Sequence, residues 1–234
     1  LALLRIMIKP RLIILAGPNG SGKSVLSDSL LNHKWGEGCR FLNADEEAQS
    51  LGSWNNPECV KQAQKNTIAM VNLAIENKEE IMYETVFSHP SKTELIWKAR
   101  QQGYFIRFFF VSTRSPIINL RRISDRVTAG GHKVPDDKVF SRYTRSYVNS
   151  VMAMRLADRA YFYDNSEDID PEKEESQIKL LFRTVNGLPK KVHIQESWYP
   201  LYDFFLTQFS ETYVNCWNND PSLPVDLDNK KSDS

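Results

Sequence analysis

The sequence predicts an α/β fold: a parallel β-sheet sandwiched by helices, with a helical, arginine-rich lid. Three observations carry this. Short apolar, β-branched runs alternate with helix-compatible segments. A glycine-rich turn, AGPNGSGKS, joins the first such run to the first helix. A strongly basic stretch, residues 114–147, follows the fourth run. Strands buried on both faces read as continuous apolar runs, and alternating strands and helices close into parallel sheets with right-handed crossovers.

The strand runs are Arg11–Ala16, Arg40–Asn43, Glu80–Glu84, Tyr104–Val111 and Arg159–Tyr163. Between them, Ser24–Leu31 follows the glycine turn, and Cys59–Ile75 carries spaced apolar residues among Ala, Gln, Lys and Asn. Ser91–Gln101 runs into Gly103, a helix stop, and Ser115–Arg126 opens as Ser-Pro, an N-cap followed by proline at the first helical position. The segment DNSEDIDPEKEE holds seven carboxylates against one lysine and reads as a solvated loop or helix start. Residues 197–209, SWYPLYDFFLTQF, are aromatic enough to pack on the domain, and the tail from Asn218 has a disordered composition. The expected organisation is an α/β domain over 7–190 with its lid at about 114–147, an aromatic extension over 191–217 packing on it, and a disordered tail over 218–234.

Composition narrows the function classes. A net charge of +1 gives no general attraction to nucleic acid or an anionic membrane. Cys39, Cys59 and Cys216 form no metal-binding spacing, and their odd number argues against a disulfide framework. A cytoplasmic location is the expectation. The leading LALLRIMIKP is interrupted by Arg5, Lys9 and Pro10, short of the roughly 20 apolar residues of a membrane helix. A start at Met7 would make residues 1–6 a start-site extension.

Gly17, Pro18, Asn19, Gly20, Ser21, Gly22, Lys23 and Ser24 match G-x-x-x-x-G-K-[ST] between a strand and a helix. Glycines let backbone N–H groups approach phosphate oxygens, and the helix N-terminus adds partial positive charge. Lys23 would reach the β- and γ-phosphates, and the Ser24 hydroxyl would ligate Mg²⁺. The pattern implies ATP, with GTP as the alternative, but names no acceptor. An N-K-x-D guanine reader is missing, as is the paired-carboxylate strand end of motor ATPases. A small-molecule kinase needs only the cradle, Mg²⁺, a base near the acceptor hydroxyl and cations over the transferring group.

Those parts have candidates. Asp45, after the second strand, is either a general base or an N-cap for the next helix. Glu84 ends the third strand, placed for a substrate hydroxyl or a Mg²⁺-bound water, or simply exposed. Residues 114–147 carry eight cations against three carboxylates, with Gly130-Gly131 as a joint, and read as a flap closing over phosphates or as a solvated basic face. Asn165, after the fifth strand, is placed to hydrogen-bond a base, and His132 is a candidate lid contact.

The stretches AGPNGSGKS, FLNADE, YETVFSHPSK, RVTAGGHKVPDDKVFSRYTRS and YDNS, in this order over roughly residues 11–166, resemble the zeta toxin family of P-loop kinases, particularly its smaller bacterial branch. The resemblance implies transfer of a nucleotide γ-phosphate to a hydroxyl of a UDP-activated amino sugar such as UDP-N-acetylglucosamine. It places the base at Asp45, sugar-nucleotide contacts at Glu84 and Thr85, and a γ-phosphate contact at Arg126. Arg142 and His132 are the candidates for a second lid cation. It also implies a small helical antitoxin as partner. The longer toxins carry a glycine between the glutamate and threonine that here are adjacent, Glu84-Thr85. Other acceptors (a nucleotide, an antibiotic hydroxyl, a dinucleotide) and a slowly hydrolysing regulatory module are the rival readings. A nucleic-acid 5′-hydroxyl kinase would need a basic, aromatic stripe beyond the lid, which the sequence lacks.

Overall fold

A computed structural model describes residues 9–128, 130–131, 134–167 and 178–193. His132, Cys216, the aromatic stretch 197–209 and the tail lie outside the described residues, as does most of the acidic segment. The expected strands form in place: β1 (Arg11–Ala16), β2 (Arg40–Asn43), β3 (Ile81–Thr85), β4 (Phe105–Ser112) and β5 (Arg159–Asp164). The helices are α1 (Lys23–Leu31), α2 (Ala44–Ser50), α3 (Pro57–Glu76), α4 (Ser91–Gln101), α5 (Pro116–Thr128) and α6 (Asp136–Leu156). Two further strands, β6 (Lys179–Val185) and β7 (Leu188–Val192), were not anticipated, and β7 runs past the expected boundary at residue 190.

The sheet order is β2-β3-β1-β4-β5-β6-β7. The first five strands are parallel, while β6 and β7 add antiparallel at one edge. β1 lies between β3 and β4, so the chain crosses over it, and a crevice opens there at the carboxyl ends of the strands. Register brings Asn43 of β2 and Leu15 of β1 opposite Glu84 of β3, which places the glycine loop, Asp45 and Glu84 on one rim.

Burial on both faces explains the continuous apolar runs. Leu12 to Ala16 are fully buried, and the triplet Phe108-Phe109-Phe110 divides between the two layers. Phe108 and Phe110 meet Phe162 and Phe87 beneath α3, α4 and α6. Phe109 stacks on Tyr161 at 4.8 Å on the α1 side, where Trp35 packs against both. Local signals act as expected: the Ser115 hydroxyl accepts the Ile117 N–H at 3.2 Å, and α4 closes into Gly103 at φ 82°. Among the described residues no helix is long and apolar enough to cross a membrane. Phe108→Ala empties a fully buried site ringed by three aromatics. It should cost about 3–5 kcal/mol, read as a lower denaturation midpoint in urea.

Candidate active site

Four local structures build the site: the glycine loop after β1, the β2–α2 junction, the end of β3, and the α5–α6 pair. They line one cleft of about 1020 Å³.

The loop's shape requires its glycines. Gly20 and Gly22 adopt φ 75° and 87°, a region unfavourable to side chains. A Cβ on Gly20 would strike the Asn119 backbone, and one on Gly22 would strike the Asn165 carboxamide. Ser21 is fully buried, and its hydroxyl has no hydrogen-bond partner among the described residues. The Lys23 ammonium folds back onto the Pro18 carbonyl at 3.1 Å. Burial pushes the Lys23 amine below its usual range, while Glu84 and Asp45 pull it up and Arg126 lowers it further. A loop of turned-in glycines around a desolvated cation fits an anion such as a phosphate.

At the β2–α2 junction, Asn43 caps the helix. Its Oδ1 accepts the Asp45 N–H at 2.8 Å. The N-cap role therefore belongs to Asn43, and Asp45 stands in the first turn with its exposed carboxylate on the cleft. Glu84 ends β3, 8% exposed. Burial raises its carboxyl above the usual range, against the pull of Lys23 and a hydrogen bond from Ser27. Beside it Thr85 Oγ1 accepts the Phe87 N–H at 3.4 Å, which ties the hydroxyl to its own loop. Phe87 is buried in a left-handed conformation, φ 61°. Such strain in a non-glycine residue persists only where its surroundings impose it, and the Phe87 carbonyl is held by Asn149 of α6 at 3.0 Å.

Arg126 of α5 and Arg142 of α6 both line the cleft. Arg142 is the more enclosed: its Nη1 lies 3.4 Å from the Asn19 side-chain oxygen of the loop. Burial and Arg145 lower its pKa, and Asp45 and Asp137 oppose this. Asn165 is turned inward. Its Nδ2 donates to the Ser21 carbonyl at 2.9 Å and so braces the loop.

Asp45, Glu84, Thr85, Arg126 and Arg142 thus meet the glycine loop on one cleft, whereas Asn165 stands behind the loop and His132 lies outside the described residues. Sequence reasoning did not single out the far wall: Trp54, Lys61 and Gln64 from α3 and the segment before it, then His89, Ser91 and Lys92 around the start of α4. Lys92 donates to the Tyr83 hydroxyl, and His89 Nδ1 meets Ser91 Oγ at 2.9 Å. The signal for these last three was present in YETVFSHPSK, whose family likeness was read only at Glu84 and Thr85. Asn119, buried in α5 with its Nδ2 on the Asn19 carbonyl at 2.7 Å, left no sequence signal.

Comparison with known proteins agrees with this architecture. An uncharacterised protein of Haemophilus influenzae (strain Rd) is 26% identical over 137 residues, 58% of this chain and 95% of that one. The solved AvrRxo1-ORF1:-ORF2 complex with ATP has a TM-score of 0.60 at 15% identity, covering 87% of this chain. This chain spans only 66% of that structure's chain. The PezAT chromosomal toxin–antitoxin system of Streptococcus pneumoniae has a TM-score of 0.51 at 14% identity, covering 89% of this chain and 82% of that one. These likenesses establish the P-loop kinase-like α/β fold. The family model for zeta toxins matches residues 5–169, and the chain belongs to the zeta toxin family.

Proposed function

We propose that the protein is a kinase that transfers the γ-phosphate of ATP, with GTP as alternative donor, to a hydroxyl of a UDP-activated amino sugar such as UDP-N-acetylglucosamine. One observation carries this reading. A carboxylate not used as a helix cap, Asp45, shares a cleft with a glycine loop, its buried lysine and two lid arginines. Membership of the zeta toxin family and the likeness to a complex solved with ATP support the donor half.

Phosphoryl transfer asks the protein for position and charge more than for covalent chemistry. The loop's N–H groups and Lys23 take the triphosphate. Arg126 and Arg142 stabilise charge on the transferring group from the lid side. Asp45 accepts the proton of the attacking hydroxyl, and Glu84 with Thr85 orients the sugar nucleotide. Ser24 and Glu84, a hydroxyl and a carboxylate, are oxygen donors suited to Mg²⁺, which neutralises the β- and γ-phosphates when bound. A small helical antitoxin covering this cleft, in line with the likeness to PezAT, would silence the enzyme by excluding nucleotide.

Transfer of ³²P from γ-labelled ATP to a panel of UDP-sugars, nucleosides and a 5′-hydroxyl oligonucleotide tests the acceptor. Label should appear on a UDP-sugar. In Asp45→Asn it should fall by ~10²–10⁴-fold, with nucleotide affinity within about two-fold of wild type. Slow phosphate release with no labelled acceptor would instead favour a regulatory module.

The charges predict a second outcome. Glu84 holds its proton more tightly folded than unfolded, so between the two pKa values the folded state binds the extra proton. Ligand-free stability therefore falls as pH rises through that window. Glu84→Gln removes the penalty. The ligand-free thermal midpoint at neutral pH should rise by ~2–4 °C while transfer drops by ~10²-fold or more. Thermal unfolding and the ³²P assay on the same preparation check both arms.

A further inference from the structure

A loop that turns its N–H groups toward an anion must turn carbonyls the other way, and each outward carbonyl then needs a donor behind it. In this loop the Pro18 carbonyl accepts from the loop's own Lys23 ammonium and Ser21 N–H, while those of Asn19 and Ser21 turn back into the fold. Each accepts from the carboxamide of an asparagine distant in sequence: Asn119 Nδ2 on the Asn19 oxygen at 2.7 Å, and Asn165 Nδ2 on the Ser21 oxygen at 2.9 Å. Two of the loop's three positive-φ glycines face the same pair, Gly20 against the Asn119 backbone and Gly22 against the Asn165 side chain.

Both asparagines are themselves held. Asn119 is fully buried, and the Thr113 hydroxyl donates to its Oδ1, which leaves the NH₂ as the group facing the Asn19 carbonyl. A flipped amide would set oxygen against oxygen. Thr113 is anchored in turn by its carbonyl, which accepts the Tyr143 and Tyr147 hydroxyls at 2.5 and 2.8 Å. Asn165 donates its N–H to the Ser112 carbonyl at 2.8 Å, and its own carbonyl accepts from Arg122 Nη1 at 2.6 Å. A carboxamide is suited to this task because it donates forward, accepts behind and brings no negative charge near phosphate.

We propose that Asn119 and Asn165 are paired positioning residues that hold the loop's N–H groups facing inward before the nucleotide arrives. The proposal rests on the nucleotide half of the functional reading and is independent of the acceptor. On the loop each asparagine touches only a backbone carbonyl, so the pair acts through the loop and not on the reacting atoms.

The test compares wild type with Asn119→Leu, Asn165→Leu and the double variant, each near-isosteric and uncharged. Affinities are measured with Mg²⁺ for a fluorescent ATP analogue and for the corresponding adenosine analogue, with ligand-free thermal midpoints alongside. Each single variant should weaken the triphosphate by about ten-fold or more, because a buried carbonyl loses its donor, and leave adenosine binding within about two-fold. Equal losses for both ligands, or wild-type triphosphate affinity in folded variants, would overturn the proposal. A wild type that binds neither would overturn the nucleotide reading and this pairing with it.

If Asn119→Leu fails to fold, Asn119→Asp replaces it. When protonated, that carboxyl can donate to the Asn19 carbonyl; when ionised, it repels it. Burial raises its pKa, so triphosphate affinity relative to wild type should be highest near about pH 5 and fall as pH rises. A ratio independent of pH would sink the proposal.

Discussion

Backbone N–H groups can surround an anion only if the same peptides are held from behind, and much of this structure follows from that constraint. Within the loop from Gly17 to Ser24, the Lys23 ammonium and the Ser21 N–H fold onto the Pro18 carbonyl, and the rest is held from outside. Gly17 itself lies so close to the Val111 carbonyl that a Cβ would overlap it. Its conformation is imposed by β4, α5 and the β5 end, which supply the Asn119 and Asn165 carboxamides. The crossover at β1 makes this feasible, because it sets elements 100 and 144 residues away in sequence directly behind the loop.

Helix α6 extends the same logic to the Phe87 side of the cleft. Along one face it places Arg142 on the loop's Asn19 and Tyr143 and Tyr147 on the Thr113 carbonyl. A turn or two later it places Asn149 on the carbonyl of the strained Phe87. A rigid helix anchored at both subsites keeps their separation fixed. On the proposed reading that separation matters, since a displacement of an ångström between reacting groups costs heavily in rate.

What the sequence revealed depended on the range of the interaction. The five parallel strands, the Ser115-Pro116 helix start and the Gly103 stop are local, and residues close in the chain encode them. The glycine loop is also local, so Gly17 to Ser24 was legible as a unit. The β6–β7 hairpin was not, because Lys179–Val192 mixes apolar residues with Lys and Arg, as an edge exposed to water allows. Asn119 was hidden for a different reason. α5 buries Asn119 while leaving Ile117 66% exposed, so tertiary bonds override the apolar pattern. Asp45 and Asn43 show the limit between these cases. Both residues suit a helix start, and only the bond from the Asp45 N–H to Asn43 Oδ1 decides which one caps.

That division of labour has a chemical consequence. The cleft is strongly cationic, with Lys23, Arg122, Arg126, Lys138, Arg142 and Arg145 on its walls, although the chain as a whole carries only +1. Cations suit a site that gathers a triphosphate and, on the proposed reading, an anionic acceptor. A base in such a field must keep its lone pairs for the substrate. Had the Asp45 carboxylate capped α2, a backbone N–H would have occupied one of its oxygens. Placing Asn43 at the cap supplies the helix with a neutral acceptor and leaves the carboxylate two residues on for the cleft. The helix cap and the proposed base are thus separate residues, because one oxygen cannot serve both.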